Sequence, residues 1–514
     1  MFDKLKNNIS NNQRKYGALL SYVQMGLGIV IALLYTPYMI RMLGKNEYGL
    51  YSTVASTIQM LSFLNLGLNA GYIRYFARYN TENNNEAIDS LNGLYLLIFL
   101  IIGFIALVCG LVLSFNLDFI FSKGLTQEEY EIAKVLALLV TFNLSFSFPA
   151  SVFSTIISAH EKFVVLKLLA MIRSVATPAI MIPVLYYGYK SIAMVTVTLI
   201  LSLVVDIAYY VYCRKNLKIK FCFNNFEKGI LRSLFAYTFF IALNGIFDQI
   251  TWSIDKCILA RYRGTVAVAI YSVAYSLYMF YQSMSCSISG VFTPRIHAIV
   301  NEKVINIENR NKNLTELFVR IGRIQFFVVA LITSGFYFFG KQFLLFWVGN
   351  GYDDSYYITF MFMASASIAL IQNTGIEIQR ALNKHQFRSL LLLTTSIMNL
   401  IISIYLCQLY GAIGCAIGTV IVLLFGPGLV MNIFYHKKCG LNIILFWKNI
   451  LRVSLGVLPP VALMLLANNY IQFNTLPNFI GGIVFYTIFY CVSIWFCSLN
   501  SYEKGLIFRK NNEK

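Results

Sequence analysis

Stretches without a single charged side chain fill most of this 514-residue chain. Tyr16–Ile40, Tyr48–Ile73, Ser90–Leu117 and Gly264–Pro294 run for 25, 26, 28 and 31 residues. Ser389–Tyr435 (47 residues) and Val453–Tyr502 (50 residues) are each long enough for two crossings. About 20 apolar residues in a helix span a hydrocarbon core of about 30 Å. Lipid gives the backbone no hydrogen-bond partner, so runs of this length must be helical to satisfy their own amides. The pattern predicts an all-α polytopic membrane protein.

Fourteen spans are predicted, over residues 16–40, 48–72, 90–116, 135–158, 166–187, 191–213, 233–258, 264–292, 320–340, 355–377, 389–409, 412–434, 450–469 and 478–499. Tyr410-Gly411 divides one doubled run, and Asn468-Asn469 through Pro477-Asn478 divides the other. Arg173 and Asp206 interrupt spans five and six. With an inside N-terminus, 32 of the 41 Lys and Arg fall on inside segments and 9 on outside ones. Basic loops resist translocation, so both termini are expected in the cytoplasm. The formal charge of +19 then sits where anionic headgroups account for it, and nucleic acid is not needed to explain it. The polar first fifteen residues do not resemble a cleavable signal. Ten Cys occur singly, with no C-x-x-C, and only four His are present, so neither a disulfide framework nor a metal site is expected. The longest connection is expected from Arg295 to Val319, with no appended soluble domain.

A weak internal repeat runs through this layout. At an offset of 220, Arg41–Gly44 (RMLG) falls on Arg261–Gly264 (RYRG), and Tyr51-Ser52 falls on Tyr271-Ser272. Tyr187-Gly188 meets Tyr410-Gly411 at 223, and Phe163 meets Phe387 at 224. Six spans thus repeat as spans seven to twelve, giving lobes at 1–213 and 214–436 and an extra pair of spans with a tail at 437–514. An even number of spans per repeat keeps both halves in one orientation. Two such six-helix bundles around a central cleft are a transporter architecture. The six-plus-six-plus-two layout resembles the MOP (multidrug/oligosaccharidyl-lipid/polysaccharide) exporter superfamily. The stretch Thr36–Ser52 (TPYMIRMLGKNEYGLYS) and the run Gly71–Tyr79 (GYIRYFARY) resemble Wzx-type polysaccharide or O-antigen repeat-unit flippases. That resemblance implies a bacterial cytoplasmic (inner) membrane protein of polysaccharide or lipopolysaccharide biosynthesis. It further implies translocation of undecaprenyl-diphosphate-linked oligosaccharide to the outer leaflet, with a polysaccharide polymerase and a chain-length regulator as partners.

Ionisable groups within a span cost about 2.5 to 3.5 kcal/mol each, so each asks for a reason. Asn244, Asp248, Thr251 and Asp255 recur at i, i+4, i+7 and i+11 on span seven and share a face, with Gln249 and Lys256 beside them. That stripe reads as a hydrated cleft wall with a proton or Na⁺ site at Asp248, and Asp255 a second candidate; the alternative is an interhelical pair of Asp255 with Lys256 or Arg261. Asn373, Glu377, Arg380 and Lys384 repeat the spacing at the end of span ten, with Gly375 as a break, and Glu377 reads either as a paired structural group or as a coupling one. Asp206 stands alone on span six and is a candidate proton carrier. Arg41 and Arg261 on the outer side, and Arg74, Arg78 and Arg295 on the inner side, suit a diphosphate headgroup, because Arg presents a planar fork of donors. They also suit plain snorkelling to headgroups. Tyr275 and Tyr278, with Tyr271 and Tyr281, share a face of span eight and suggest sugar contact, although Tyr also crowds membrane interfaces.

Three functions fit this reading in descending order: the flippase, with H⁺ or Na⁺ as its coupling ion and no other cofactor; a drug/cation antiporter of the same fold; and a membrane-embedded polymerase or acyltransferase. Outside loops such as Gln408–Gly414 carry no charge, and no nucleophile–base pair or metal motif is displayed there, which weighs against an enzyme.

Overall fold

The fold follows from where glycines and charges interrupt the apolar runs. In a computed structural model, residues 13–65, 67–117, 121, 126–224, 229–302, 306–384, 386–467, 473, 475–500 and 503–505 are described, with only the backbone described at 14, 15, 17–19, 230–242, 244, 246, 248 and 250. Of the described residues 89% are helical, and none forms a strand. In order the helices are α1 Gln13–Gln59, α2 Leu68–Thr81, α3 Asn85–Phe115, α4 Gln127–Ala159, α5 Phe163–Tyr186, α6 Ser191–Lys215, α7 Ile230–Arg263, α8 Thr265–Gly290 and α9 Thr293–Asn301. There follow α10 Ile307–Trp347, α11 Asp353–Leu370, α12 Asn373–Ala381, α13 Gln386–Leu423, α14 Met431–Lys437, α15 Ile443–Ser454, α16 Leu458–Ala467 and α17 Leu476–Cys497. They form two compact units, Met1–Ala269 and Ile270–Lys514.

Ten helical stretches among the described residues are long and apolar enough to cross a membrane. Two of them, Leu20–Thr81 and Gln386–Lys437, are too long for one crossing at 62 and 52 residues. Each turns at a glycine, Gly44 (φ 74°) or Gly411 (φ 60°), in backbone conformations that L side chains rarely adopt. Past Gly411 the chain folds back on itself as an antiparallel pair. Thr419 and Ser403 both approach the Asn399 amide oxygen, and a Cβ on Gly418 or Gly426 would press on Ser403 or Thr395. With α7 and α8, 34 and 26 residues long, added, the described helices supply the fourteen crossings expected from hydropathy.

The internal repeat is written in the backbone. Gly44 pairs with Gly264 (φ 74° and 80°) at offset 220, Glu161 with Asn383 (58° and 55°) at 222, Gly188 with Gly411 (82° and 60°) at 223, and Lys218 with Gly440 (52° and 72°) at 222. Four left-handed turn residues therefore recur with the offset seen in the sequence.

Several boundaries differ from expectation, and at one of them the reason is that charge ends a hydropathy signal without ending a helix. The stretch expected to connect from Arg295 to Val319 is mostly helix, in α9 and the start of α10. The second crossing does not run straight; a 3-10 turn at Met60–Asn65 and the left-handed Gly67 (φ 63°) precede α2. The tenth breaks at Ile371–Gln372, between α11 and α12, not at Gly375. Gly375 instead serves packing, since a Cβ there would stand 2.7 Å from the Tyr435 ring.

Candidate functional site

Within the first unit, α7 packs against α1 and α2. It is one unbroken helix, so Asn244, Asp248, Thr251 and Asp255 lie on a common face as the spacing predicted. The side chains of Asn244 and Asp248 lie outside the described residues. Asp255 is fully buried and Lys256 is half-buried. Beside them, Cys257 Sγ lies 3.3 Å from Thr57 Oγ1 and joins α7 to α1, while Gln249 donates to Ser253 Oγ at 3.1 Å. Thr251 spends its hydroxyl on its own helix, donating to the Phe247 carbonyl at 2.8 Å. Buried Thr53 and Thr57 do the same on α1. The result is a polar seam of hydroxyls, a thiol and an acid between the second and seventh crossings.

The basic candidates lie at helix ends. Arg41 is exposed three residues before Gly44, and Arg261 is half-buried three residues before Gly264, so the two occupy equivalent places in the repeat. Arg74 and Arg78 are exposed one turn apart on α2; Arg78 also pairs with Glu82 at 3.0 Å and covers the Tyr79 ring at 5.8 Å. Arg295 is exposed on α9.

Asp206 is not alone. Arg173 of α5 is its electrostatic partner across the α5–α6 interface, so the two charges that interrupt spans five and six oppose one another. Charges on successive crossings have no fixed sequence spacing, and this hid the relation.

In the second unit the tyrosine face of α8 turns into protein. Tyr278 is 3% exposed and packs edge-on to Phe362, as does buried Tyr271. Tyr281 bonds Thr333 Oγ1 at 2.9 Å and Ser367 Oγ at 2.7 Å. Tyr275 is half-buried, 6.4 Å from the Tyr278 ring. Glu377 meets Arg380 at 2.6 Å, Asn373 bonds Ser289 Oγ at 2.9 Å, and the Lys384 ammonium meets the Lys438 carbonyl. The Glu377–Arg380 pairing expected from the spacing is present.

Three arrangements had no sequence signal. Glu47, in the turn between the first two crossings, accepts from Ser191 N (2.8 Å) and Ser191 Oγ (2.7 Å) and pairs with Lys190 at 3.4 Å. A carboxylate thus caps the N-terminus of α6, where the helix dipole favours it. Glu47 also borders a cavity of about 550 Å³ with Lys45, Thr126, Glu128 and Lys190. In the second unit, Arg323 and Glu503 form a buried two-pronged ion pair at 2.6 and 2.7 Å. Around the break in the tenth crossing, Gln372, Asn432 and Trp447 form an amide–indole network. Among the described residues no three His, Cys, Asp or Glu side chains gather as a metal site.

The family model described as "Polysaccharide biosynthesis protein" matches residues 17–300, more than half of the chain. The chain belongs to that family. Its fold is that of the MOP superfamily, as the layout suggested. A lipid II flippase MurJ in an inward closed conformation superposes with a TM-score of 0.65 at 16% identity, over 96% of this chain and 99% of that one. An inward-facing multidrug resistance MATE family transporter gives 0.59 at 14% identity, over 83% and 99%. A MOP superfamily transporter from Pyrococcus furiosus, whose binding pocket is described as of reverse polarity, gives 0.57 at 15% identity, over 82% and 96%. No curated protein matches the chain.

Proposed function

We propose that this family member is a flippase that carries undecaprenyl-diphosphate-linked oligosaccharide units, of the polysaccharide or O-antigen kind, from the cytoplasmic to the outer leaflet. The observation that carries this reading is the conjunction of a polysaccharide-biosynthesis family match with a fold shared over 96% of the chain with a lipid II flippase. The MATE transporters match only 82 to 85% of the chain, leaving unmatched about as many residues as 437–514 contains. That favours the flippase over the antiporter.

In this mechanism the repeat-related lobes, 1–213 and 214–436, rock to expose a shared path alternately to each side. Residues 437–514 add the last two crossings and the tail. Arg74, Arg78 and Arg295 receive the diphosphate on the cytoplasmic side; Arg41, Arg261 and Lys256 attend its release; and half-buried Tyr275, with Tyr278 behind it, flanks the sugar. Asp248, Asp255, Glu377 and Asp206 are the acids from which a proton or Na⁺ coupling site is drawn. Both termini lie in the cytoplasm of a cell whose inner membrane holds the protein, beside a polymerase and a chain-length regulator. The protein performs no bond chemistry in this scheme.

The test is reconstitution into proteoliposomes with a fluorescent undecaprenyl-diphosphate oligosaccharide, reading the rate at which the sugar reaches the far leaflet. Protein-dependent translocation supports the proposal. Efflux of cationic dyes without sugar translocation would replace it with the antiporter. Asp248→Asn transport that stays unchanged and still responds to an ion gradient would remove Asp248 as the coupling site.

A further inference from the structure

Between Glu377 and Glu503 the chain holds seven Lys and Arg and not one Asp or Glu. Of the two bounding acids, Glu503 is committed to Arg323 and Glu377 to Arg380. Arg380, Lys384 and Arg388 fall around the turn between the tenth and eleventh crossings, and Lys437 and Lys438 at the turn after the twelfth. Both turns belong to the second unit and are expected on the inner side of the membrane.

The two turns are fixed to one another. The Phe387 and Phe434 rings stack at 4.3 Å with 2° between their planes. The Lys384 ammonium donates to the Lys438 carbonyl, and the Tyr435 ring packs on Gly375. The first turn is also braced internally. Gln379 Nε2 donates to the Lys384 carbonyl at 2.8 Å, and the Lys384 N–H donates to the Gln379 carbonyl at 2.9 Å. Its three cations are therefore held in a preset arrangement.

The two guanidinium groups share one locality. Arg380, at the end of α12, and Arg388, at the start of α13, both act electrostatically on the phenol of buried Tyr435. Arg388 is half-buried, and among the described residues neither it nor Lys384 meets a carboxylate. A partly buried charge without a counter-charge is unfavourable, and an anion from outside the chain relieves it. A guanidinium has five N–H donors and an ammonium three, so most remain available after the Glu377 and Lys438 contacts. Next to these cations in the chain, Phe387 and Ile433 are exposed apolar side chains. Cationic and apolar surface thus adjoin at the inner end of these crossings, which suits a molecule with a charged head and a hydrocarbon chain better than a free ion.

We propose that Arg380, Lys384 and Arg388 form a docking surface for the phosphodiester headgroup of an anionic phospholipid of the inner leaflet, with an acyl chain against Phe387 and Ile433. Basic groups gathered between crossings on the cytoplasmic side recognise such headgroups. None of the three is among the cations assigned to the sugar lipid, and the proposal does not depend on the flippase reading.

The experiment reads binding, not transport. The unfolding midpoint of the purified full-length protein in detergent is followed during titration with phosphatidylglycerol, phosphatidylcholine or inorganic phosphate at constant ionic strength. The expected result is a saturable rise with phosphatidylglycerol that neither of the others gives. One Lys or Arg beside anionic lipid is worth a factor of about 5, so Arg380→Gln and Arg388→Gln should each weaken apparent affinity about 5-fold, and the double variant about 30-fold. Arg388→Lys keeps the charge and should lose less than Arg388→Gln, which separates a lost headgroup contact from a folding defect. Lys215 and Lys218, exposed in the first unit, supply the control: Lys215→Gln/Lys218→Gln should leave the titration unchanged. An equal rise with phosphatidylcholine or with inorganic phosphate overturns the proposal. So does a phosphatidylglycerol response that survives the Arg380→Gln/Arg388→Gln double variant, or one that the Lys215/Lys218 control weakens as much, since attraction is then diffuse.

Discussion

Removing one partner of the Arg323–Glu503 pair should unfold the second unit well before the first. Arg323 sits on α10 with 7% of its side chain exposed, and Glu503 has 4%. The guanidinium gives both prongs to the carboxylate at 2.6 and 2.7 Å and a further bond to the Ser498 carbonyl at 3.0 Å. Glu503 also accepts the Asn500 N–H at 3.0 Å. Farther along α10, Tyr490 donates to the Phe327 carbonyl (2.8 Å) and Tyr486 to Ser334 Oγ (2.7 Å), so the pair is the first rung of a ladder holding α17 to α10. Arg323→Met leaves a buried carboxylate uncompensated, which costs about 3–5 kcal/mol. For a unit of this size each kcal/mol lowers Tm by about 2–4 °C, so the loss should be about 6–20 °C. The double variant Arg323→Met/Glu503→Met removes both charges and should recover most of that loss, because well-packed apolar replacements of a buried pair are often neutral. Thermal unfolding of the purified protein in detergent checks both. An Arg323→Met loss under about 1 kcal/mol, or a double variant no better than the single, would refute the reasoning.

Other outcomes follow from local geometry. Gly375→Leu drives a side chain into the Tyr435 ring and should cost about 1–3 kcal/mol, read as a lowered unfolding midpoint, with Gly375→Ala less severe. Glu47→Ala removes the carboxylate that caps α6 and should cost about 0.5–2 kcal/mol, with Glu47→Asp restoring part of it. His160, its ring tilted against Phe76 at 4.5 Å just beyond α4, has its pKa lowered by burial. Its unfolded form binds the proton more readily, so its share of stability is complete above about pH 6.5 and is lost as pH falls below that value; His160→Phe should flatten this acid limb in unfolding curves taken between pH 5 and 7.

Much of this architecture can be read from residues. The crossing count, the reversal at Tyr410-Gly411 and the repeat offset all rest on local signals, namely apolar length, a glycine where φ is positive, and recurring turn residues. The Glu377–Arg380 contact was legible too, since helical spacing fixes which side chains meet. What escaped depends on which crossings become neighbours. Arg173 faces Asp206, Glu47 caps α6 from 144 residues away, and Arg323 meets Glu503 across 180 residues; no periodicity encodes such distances. The tyrosines of α8 mark a different limit of the sequence. Their spacing correctly placed them on one face, but a shared face says nothing about whether sugar or Phe362 lies against it.

The most direct test of the flippase account is the sidedness of the lipid-linked sugar in cells. Bacteria depleted of this protein are converted to spheroplasts and treated with an external glycosidase that cleaves the oligosaccharide from its undecaprenyl diphosphate. Depletion should make the lipid-linked units accumulate in a form the enzyme cannot reach, with access restored by re-expression. Units that stay fully exposed to the glycosidase after depletion would contradict the account.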